Sequence, residues 1–290
     1  MRILLTGSNG QLGTDFQLVS AGLHDVVAFD LDLDITDRKA VAAKVREVEP
    51  DLLVNAAAFT NVDGAEADEL NAYKVNALGP HNLAMACRDA GIPLVQVSTD
   101  FVFRGEASEP YTEFDLPDPR GVYGKSKRAG ELYVEWTMDR FYICRTSWLF
   151  GVGGGNFVKT MMRVGKEKGE VAVVTDQVGS PTYSRDLARK ILDIIETNAF
   201  GYYHTCNAGW CSWNQFTKDI FASAGIDAQV KPTTTEELGR PAPRPAYSVM
   251  RGLALELQGI EPMRDYHEAL DDYIKRDLPD WESKQGELGL

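Results

Sequence analysis

The chain has few cysteines and lacks long apolar runs. Its 290 residues include four cysteines, none in CxxC spacing, namely Cys87, Cys144, Cys206 and Cys211. This scarcity excludes a disulfide scaffold and predicts reduced thiols in a cytoplasmic protein. Apolar stretches stay well below the roughly 18 residues of a membrane span, and the opening MRILLTGSNG is typical of a strand and loop. We therefore expect neither a membrane span nor a signal peptide.

Basic residues are outnumbered by acidic ones. There are 30 Lys and Arg against 43 Asp and Glu, which gives a net charge of −13. This excess argues against partners such as nucleic acid or an anionic membrane surface. An anionic substrate would have to be met by a local basic group. The length and the 44% hydrophobic content suffice for one large domain with a smaller lobe.

A glycine-rich turn follows the first apolar run. Residues 1–6 are strand-like, Gly7, Gly10 and Gly13 follow with GxxGxxG spacing, and a helical pattern extends to Leu18. In this context Gly7 allows a tight turn, Gly10 a close approach of backbone to pyrophosphate, and Gly13 the packing of helix on strand. The helix N-terminus offers N–H groups and a positive dipole end to phosphates. The pattern predicts a dinucleotide site.

An acidic segment follows the second strand-like run. Asp30 lies about twenty residues after the glycine turn, where a carboxylate can accept hydrogen bonds from the adenine ribose. Asp32 and Asp34 follow, and the next basic residue is Arg38. A 2′-phosphate placed here would meet carboxylates. The segment therefore favours NADH over NADPH.

Strand-like and helical segments alternate through the first half of the chain. The further strand-like runs lie at 25–30, 50–58, 93–103 and 141–150, with helical patterns at 36–48 and 72–90. Continuous apolar strands separated by helices indicate a parallel sheet covered on both faces. We predict an α/β, Rossmann-type doubly wound sheet over residues 1–150. Segments near 170–200 and 245–260 would complete it, and 151–290 would mainly form a smaller substrate-binding lobe.

Tyr123 and Lys127 are four residues apart, which places the phenol and the ammonium on one face of a helix. A Lys ammonium beside a phenol favours the phenolate and lowers the tyrosine pKa from its usual value of about 10. Such a hydroxyl can pass a proton to a carbonyl oxygen while a hydride arrives at the carbon. Thr99, at the end of a strand-like run, would lie nearby.

Parallel sheets bind ligands at the carboxyl ends of their strands. The residues predicted at these ends are Gly7, Asp30, Ala56, Ala57, Ala58, Thr99 and Trp148. Each has a simpler explanation when taken alone, since the alanines suit tight packing, Thr99 has high β-propensity and Trp148 suits a core. Together at one sheet edge, they favour a site.

Eight motifs run through the chain in a fixed order. They are TGSNGQLG (6–13), LDITD (33–37), PDLLVNAAAFTNVDGAE (50–66), VSTDFVF (97–103), VYGKSKRAGE (122–131), RTSWLFG (145–151), DQVGSPTY with Asp186 (176–186) and RPAYS (244–248). In order and spacing, from residue 1 to about 275, they resemble the dTDP-4-dehydrorhamnose reductase family of extended short-chain dehydrogenases/reductases. This combination is far more specific than a glycine fingerprint.

The resemblance implies NADH- or NADPH-dependent reduction of the 4-keto group of dTDP-4-dehydro-6-deoxy-L-mannose to dTDP-L-rhamnose. Tyr123 would donate the proton, Lys127 would hold the nicotinamide ribose and tune Tyr123, and Thr99 would bind the substrate oxygen. The implied cofactor contacts are Gly7, Gly10, Gln11, Leu12, Gly13, Asp30, Asp34, Ile35, Ala56, Ala57, Ala58, Val97, Tyr123 and Lys127. The implied contacts to the dTDP-sugar are Thr99, Asp100, Phe101, Trp148, Asn156 and Arg244. A homodimer is compatible with the resemblance.

Two positions depart from the family pattern. Phe101 stands where the family usually has Tyr, so a hydroxyl facing the substrate is missing. In some members Mg²⁺ bridges a dimer through glutamates, and the first such position here is Asp15, one methylene shorter. We therefore predict no metal site and regard a role for Mg²⁺ as doubtful.

Three other functions share this scaffold. A 4,6-dehydratase typically shows Thr-Asp-Glu, whereas this chain has Thr99, Asp100 and Phe101; an epimerase is less easily separated. A non-enzymatic regulatory subunit, resembling the β-subunit of methionine adenosyltransferase, has no need of Thr99, Tyr123 and Lys127. A reductase of another nucleotide-activated deoxysugar stays open.

Overall fold

The computed structural model describes residues 1–288, with side chains up to residue 283. The strands are β1 Arg2–Thr6, β2 Asp25–Phe29, β3 Leu52–Asn55, β4 Leu94–Thr99, β5 Phe141–Thr146, β6 Leu149–Phe150, β7 Glu170–Val174, β8 Val178–Gly179, β9 Thr182–Tyr183, β10 Gly201–His204, β11 Cys211–Ser212 and β12 Gln229–Thr233. The α-helices are α1 Gln11–Ser20, α2 Arg38–Val48, α3 Val62–Ala67, α4 Glu69–Tyr73, α5 Gly79–Ala90, α6 Val122–Thr137, α7 Phe157–Lys168, α8 Ser184–Glu196, α9 Trp213–Ala224, α10 Thr235–Leu238, α11 Leu253–Leu257, α12 Tyr266–Asp272 and α13 Leu278–Leu288.

A six-stranded sheet in the order β10-β5-β4-β3-β1-β2 forms the centre of the molecule. Every neighbouring pair in it is parallel. The chain leaves β1 toward β2 and then crosses to β3 on the other side, so the strand order reverses between β1 and β3. Such a switch point opens a crevice at the carboxyl ends of the strands. The predicted Rossmann-type α/β sheet is confirmed.

Both faces of the sheet are covered, as its continuous apolar strands require. Along β1, Ile3 and Leu5 belong to the core on the side of α1 and α8, whereas Leu4 belongs to the core on the side of α2 and α5. All three are fully buried. Burial of each such side chain stabilises the fold by roughly 1.5–3 kcal/mol.

The helix ends follow ordinary capping chemistry, with one departure. Asp37 caps α2 by accepting the N–H groups of Lys39 and Ala40 at 2.8 and 3.1 Å. The predicted helix over 72–90 is α4 and α5 joined by a π-helical turn at Lys74–Leu78. The turn contains the buried Asn76. Its side-chain amide accepts a hydrogen bond from the N–H of Phe59 and donates one to the C=O of Phe59.

The second half of the chain contributes to both parts of the molecule. Helix α8 packs on α1, and β10 adds the edge strand beside β5. Strand β7, inside the segment expected to complete the main sheet, instead pairs with β12 because its apolar residues face a second core. That core is built around Phe150, Tyr183 and Phe216. The division into two lobes by residue number stays a prediction.

Among residues 1–288, none of the helices is long and apolar enough to cross a membrane.

Candidate active site

A cavity of about 1160 Å³ opens at the carboxyl edge of the six-stranded sheet. One side is formed by the ends of β1–β4 together with the first turns of α1 and α6; we call it the sheet wall. The opposite side is formed by residues 148–177 and 213–245; we call it the loop wall. The cavity volume lies above the roughly 300–1,000 Å³ of a site for a drug-sized ligand, which leaves room for a larger ligand.

The glycine turn has three different steric demands. Gly7 has φ +73°, and a Cβ there would lie 2.5 Å from the backbone nitrogen of Ala57. A Cβ on Gly13 would lie 2.1 Å from the carbonyl oxygen of Gly7. At Gly10 the nearest atom, the same oxygen, is 3.4 Å away. Gly7 and Gly13 are therefore required by packing, while Gly10 leaves its open side to the cavity.

The sheet wall brings together nearly all residues predicted to contact a cofactor. The residues that line it are Gly7, Gly10, Gln11, Leu12, Asp30, Asp34, Ile35, Ala56, Ala57, Ala58, Val97, Tyr123 and Lys127. Gly13 differs from its predicted role as a cofactor contact. It packs against the Gly7–Ser8 backbone behind the turn and does not line the cavity. The carbonyl oxygen of the Gln11 side chain is buried without a hydrogen-bond partner among the described residues.

The acidic segment after β2 forms the far end of the sheet wall. The Asp32 carboxylate accepts the N–H of Asp30 at 2.7 Å, and that of Asp34 accepts the N–H of Thr36 at 2.8 Å. These bonds shape the loop and leave the Asp30 side chain on the cavity. Asn82 holds the segment from below by donating to the carbonyl of Ile35 at 3.0 Å.

Tyr123 and Lys127 lie on the cavity face of α6, as their spacing predicted. Lys127 is buried, and its Nζ donates to the carbonyl of Val97 at 2.7 Å. Thr99 ends β4, donates to the Asp100 carboxylate at 2.9 Å and accepts the N–H of Phe101 at 3.2 Å. Helix α6 and β4 thus present the three predicted catalytic residues to the same space.

The pKa values in this cluster correct one expectation. Burial raises the pKa of Tyr123 to about 12; the carboxylate of Asp100 adds to the rise and a hydrogen bond from Thr99 opposes it. Burial lowers the pKa of Lys127 to about 8, against a raising effect of Glu131. The prediction that Lys127 lowers the pKa of Tyr123 is wrong for this structure, because burial dominates this pKa and Lys127 is not among the groups that shift it.

Asp100 is a second buried acid beside Thr99. Its side chain lines the cavity, and one carboxylate oxygen lacks a hydrogen-bond partner among residues 1–288. Burial raises its pKa to about 6. Phe101 also lines the cavity, with its ring edge-on to Tyr123 at a centroid distance of 5.4 Å. Both residues line the cavity, and their contact with a substrate stays a prediction.

The loop wall is built around an aromatic stack. Trp148 has φ +46° and lies flat on Trp213, with ring centroids 3.5 Å apart and planes within 8°. Gly179 lies under the indole, where a Cβ would approach it to 2.6 Å. Phe157 packs against Trp213 at 4.3 Å. Trp148 is therefore a packed side chain that also lines the cavity.

Two predicted substrate contacts are engaged elsewhere. Arg244 lines the cavity, yet its guanidinium is held by both carboxylate oxygens of Asp63 at 2.9 Å. Asn156 differs from its predicted role as a substrate contact. It caps α7 by accepting the N–H of Lys159, and its side-chain amide donates to the carbonyl of Gly151. Its side chain does not line the cavity in the described part of the chain.

Asp15 is buried between α1 and α8 and does not form a surface site for a metal. Its carboxylate accepts hydrogen bonds from the Ser184 hydroxyl and from Arg185 Nε, the latter at 3.1 Å. A divalent ion at this carboxylate would have to displace the guanidinium. The donor set therefore does not fit the Mg²⁺ site described for some members of the family.

Several cavity residues were missed by the sequence reasoning. Trp213 and Phe157 line the loop wall. Their sequence neighbourhoods carry no motif that points to a site, because each is brought there by packing against distant segments. Arg240 also lines this wall, and as a basic residue in a loop of an acidic chain it is a candidate for a diphosphate contact from the sequence.

Comparison with known proteins agrees with this geometry. The family model described as the RmlD substrate binding domain matches residues 1–278. The dTDP-4-dehydrorhamnose reductase of Streptomyces griseus is 42% identical over 93% of this chain and 92% of its own length.

Two solved structures are also similar. A dTDP-4-dehydrorhamnose reductase from Clostridium acetobutylicum has 48% identity and a TM-score of 0.93, covering 95% of this chain and 99% of that one. A dTDP-4-dehydrorhamnose reductase from Bacillus anthracis, in complex with NADP, has 44% identity and a TM-score of 0.92, covering 94% and 98%. The chain thus belongs to the dTDP-4-dehydrorhamnose reductase family of extended short-chain dehydrogenases/reductases.

Proposed function

We propose that this protein reduces the 4-keto group of dTDP-4-dehydro-6-deoxy-L-mannose to dTDP-L-rhamnose with a nicotinamide cofactor. The observation that carries the proposal is the meeting of Thr99, Tyr123 and Lys127 with the glycine turn in one cavity. A proton donor and a dinucleotide cradle on the same wall are what a carbonyl reduction needs. Family membership adds the dTDP-sugar.

The sheet wall fits a nicotinamide dinucleotide. The N-terminus of α1 begins at Gly10, whose open side allows the backbone to approach a pyrophosphate. The small side chains of Ala56, Ala57 and Ala58 leave room along the middle of the wall. When bound, the reduced cofactor supplies a hydride.

Tyr123 is the proposed proton donor. Because burial raises the pKa of its phenol to about 12, the hydroxyl is protonated at neutral pH and ready to donate. As the keto oxygen gains charge, it would take the proton from Tyr123 and a hydrogen bond from Thr99, whose hydroxyl would turn away from the Asp100 carboxylate to donate it. Below pH 8 the Lys127 ammonium keeps a positive charge on this side of the cavity, which favours the phenolate that remains.

Recognition of the nucleotide sugar is assigned to the loop wall and to Asp100 and Phe101. A reductase of another nucleotide-activated deoxysugar would use the same cluster, since Thr99 and Tyr123 act on the carbonyl and Lys127 on the cofactor, whichever sugar carries the carbonyl. An epimerase would change the configuration of the sugar with no net transfer of hydride, so the cofactor would not be oxidised overall. For the cofactor we propose a preference for NADH, based on Asp30.

A coupled assay tests the proposal. The purified chain is given NADH or NADPH and dTDP-glucose together with a 4,6-dehydratase and a 3,5-epimerase, and the loss of absorbance at 340 nm is followed. We expect oxidation that requires all components and dTDP-L-rhamnose as product. If NADH or NADPH is oxidised without the 3,5-epimerase and a different deoxysugar is formed, the result favours a reductase of another nucleotide-activated deoxysugar.

A further inference from the structure

The motif NVDGAE (61–66) is not used in the chemistry above, yet it forms α3 at the edge of the cavity. Its two carboxylates reach in different directions. Glu66 accepts the N–H of Val122, the first residue of α6, at 2.8 Å. Asp63 contacts the arginines of the loop wall. Helix α3 thereby connects the start of the helix that carries Tyr123 with the loop wall.

Asp63 is the common acceptor for one end of Arg244 and its loop. Arg244 Nη1 donates to Oδ1 and Nη2 to Oδ2 of Asp63, both at 2.9 Å. Nη1 also donates to the carbonyl of Ala242 at 2.7 Å, and the N–H of Ala242 donates to Oδ1 of Asp63 at 3.2 Å. Arg240 Nη1 lies 3.6 Å from Oδ2. The hydrogen bonds of Arg244 hold the pKa of Asp63 below its ordinary range.

Among the side chains that the structure describes, none takes up the remaining edge of the Arg244 guanidinium. A guanidinium has five N–H donors in a rigid fork, and the contacts to Asp63 and Ala242 use three of them. The other two, on Nε and Nη2, lie together on the edge that grips an oxyanion bidentately. Arg145 uses this edge on Glu131, with Nε–Oε1 at 2.9 Å and Nη2–Oε2 at 2.8 Å.

We infer that Asp63 is a positioning residue for the substrate diphosphate. It fixes Arg244 by the far end of the guanidinium, so that the unused edge serves the diphosphate of the nucleotide sugar while Asp63 itself stays out of contact. This inference rests on the proposed function, which supplies the diphosphate. The partial burial of Arg244, whose side chain is 17% exposed, keeps the fork in this orientation.

The sign of the effect separates this role from simple electrostatics. A carboxylate near a diphosphate repels it, so Coulomb's law alone predicts that Asp63→Asn tightens binding. Positioning predicts weaker binding, because a released arginine has to be immobilised again when the ligand arrives. If the diphosphate instead displaced Asp63 from Arg244, the two would compete for the guanidinium, and Asp63→Asn would also bind the diphosphate more tightly.

The test is calorimetric titration of wild type, Asp63→Asn and Asp25→Asn with dTDP, alongside steady-state kinetics. Asp25 pairs with Arg2 on the surface at 2.9 Å, so its variant changes the net charge equally without touching the cavity. We expect Asp63→Asn to weaken dTDP binding and to raise KM by roughly three- to tenfold, with kcat little changed. The Asp25 variant should match wild type.

A cycle with Arg244→Ala completes the experiment. If Asp63 acts through Arg244, then Asp63→Asn has little further effect in the Arg244→Ala background. Should Asp63→Asn fail to fold, Arg244→Lys keeps the charge, lacks the fork, and should weaken dTDP binding similarly. If Asp63→Asn binds dTDP as tightly as wild type or more tightly, this inference is overturned and the proposed function is not affected. Absence of dTDP binding by wild type would overturn the proposed function and this inference with it.

Discussion

The two walls of the cavity are built in different ways. The sheet wall consists of residues at the ends of neighbouring strands and the starts of two helices, with Gly13 packed inside one short turn and Gly7 packed against the end of β3. The loop wall consists of side chains that meet across long stretches of chain, such as Trp148 on Trp213 and Arg244 on Asp63. Local patterns can therefore specify the sheet wall, whereas only the folded molecule assembles the loop wall. The predictions below test this division.

Removal of the Tyr123 hydroxyl should have the largest effect, because it removes the chemistry and leaves both walls standing. Tyr123→Phe is expected to lower kcat by roughly two to four orders of magnitude, since general acid catalysis contributes about that much. Binding of NADH and of dTDP, measured by titration, should stay close to wild type. Turnover near the wild-type rate would remove Tyr123 from the mechanism.

A methyl group placed within the glycine turn should break the sheet wall selectively. Gly13→Ala puts a Cβ 2.1 Å from the Gly7 carbonyl, and we expect a loss of about 1–3 kcal/mol in the free energy of unfolding, with weaker NADH binding. Gly10→Ala is the matched control, because its Cβ would have 3.4 Å to the same oxygen and the fold should be kept. Urea unfolding of both variants decides it; equal stability would contradict the packing argument.

The pH dependence should report Lys127. Its pKa of about 8 lies below the ordinary value for lysine, so the charge is present at neutral pH and is lost as the pH rises through 8. The value of kcat/KM, which follows the free enzyme, should fall about tenfold per unit above that pH. Lys127→Arg keeps its charge, so this limb should disappear even if the rate is lower. An unchanged limb in that variant would assign it to another group.

The smallest expected effect concerns the choice of cofactor at the far end of the sheet wall. We predict that wild type has a higher kcat/KM with NADH than with NADPH, because Asp30, Asp32 and Asp34 oppose a 2′-phosphate. Asp30→Ala should reduce the ratio of the two values several-fold by removing one like charge. A wild-type preference for NADPH would sink the claim. An unaltered ratio in the variant would show that Asp30 is not the discriminator.

The sequence was sufficient for the sheet wall because its signals are local. The apolar runs at 1–6, 50–58 and 93–103 place their ends at one edge of a parallel sheet, and the spacing of Tyr123 and Lys127 places both on one helix face. These inferences need only the periods of strands and helices. The main sheet follows from them, whereas most of the individual cofactor contacts come from the family resemblance.

The loop wall shows where such reasoning stops. The partner of Arg244 lies 181 residues away in the chain, and no spacing rule connects it to Asp63. Asn156 precedes an apolar helical pattern, which is a standard N-cap signal, and it caps α7 instead of facing the cavity. The pKa of Tyr123 depends on the loss of solvent, which a sequence does not record.

Isotope transfer tests the central claim most directly. The chain is supplied with NADH carrying deuterium at the transferred C4 position and with dTDP-4-dehydro-6-deoxy-L-mannose, and the sugar product is examined by NMR. The account predicts dTDP-L-rhamnose with one deuterium, at C4 of the sugar, in an amount equal to the NADH oxidised. A product without deuterium at C4, or a change of sugar configuration without net NADH oxidation, would contradict it.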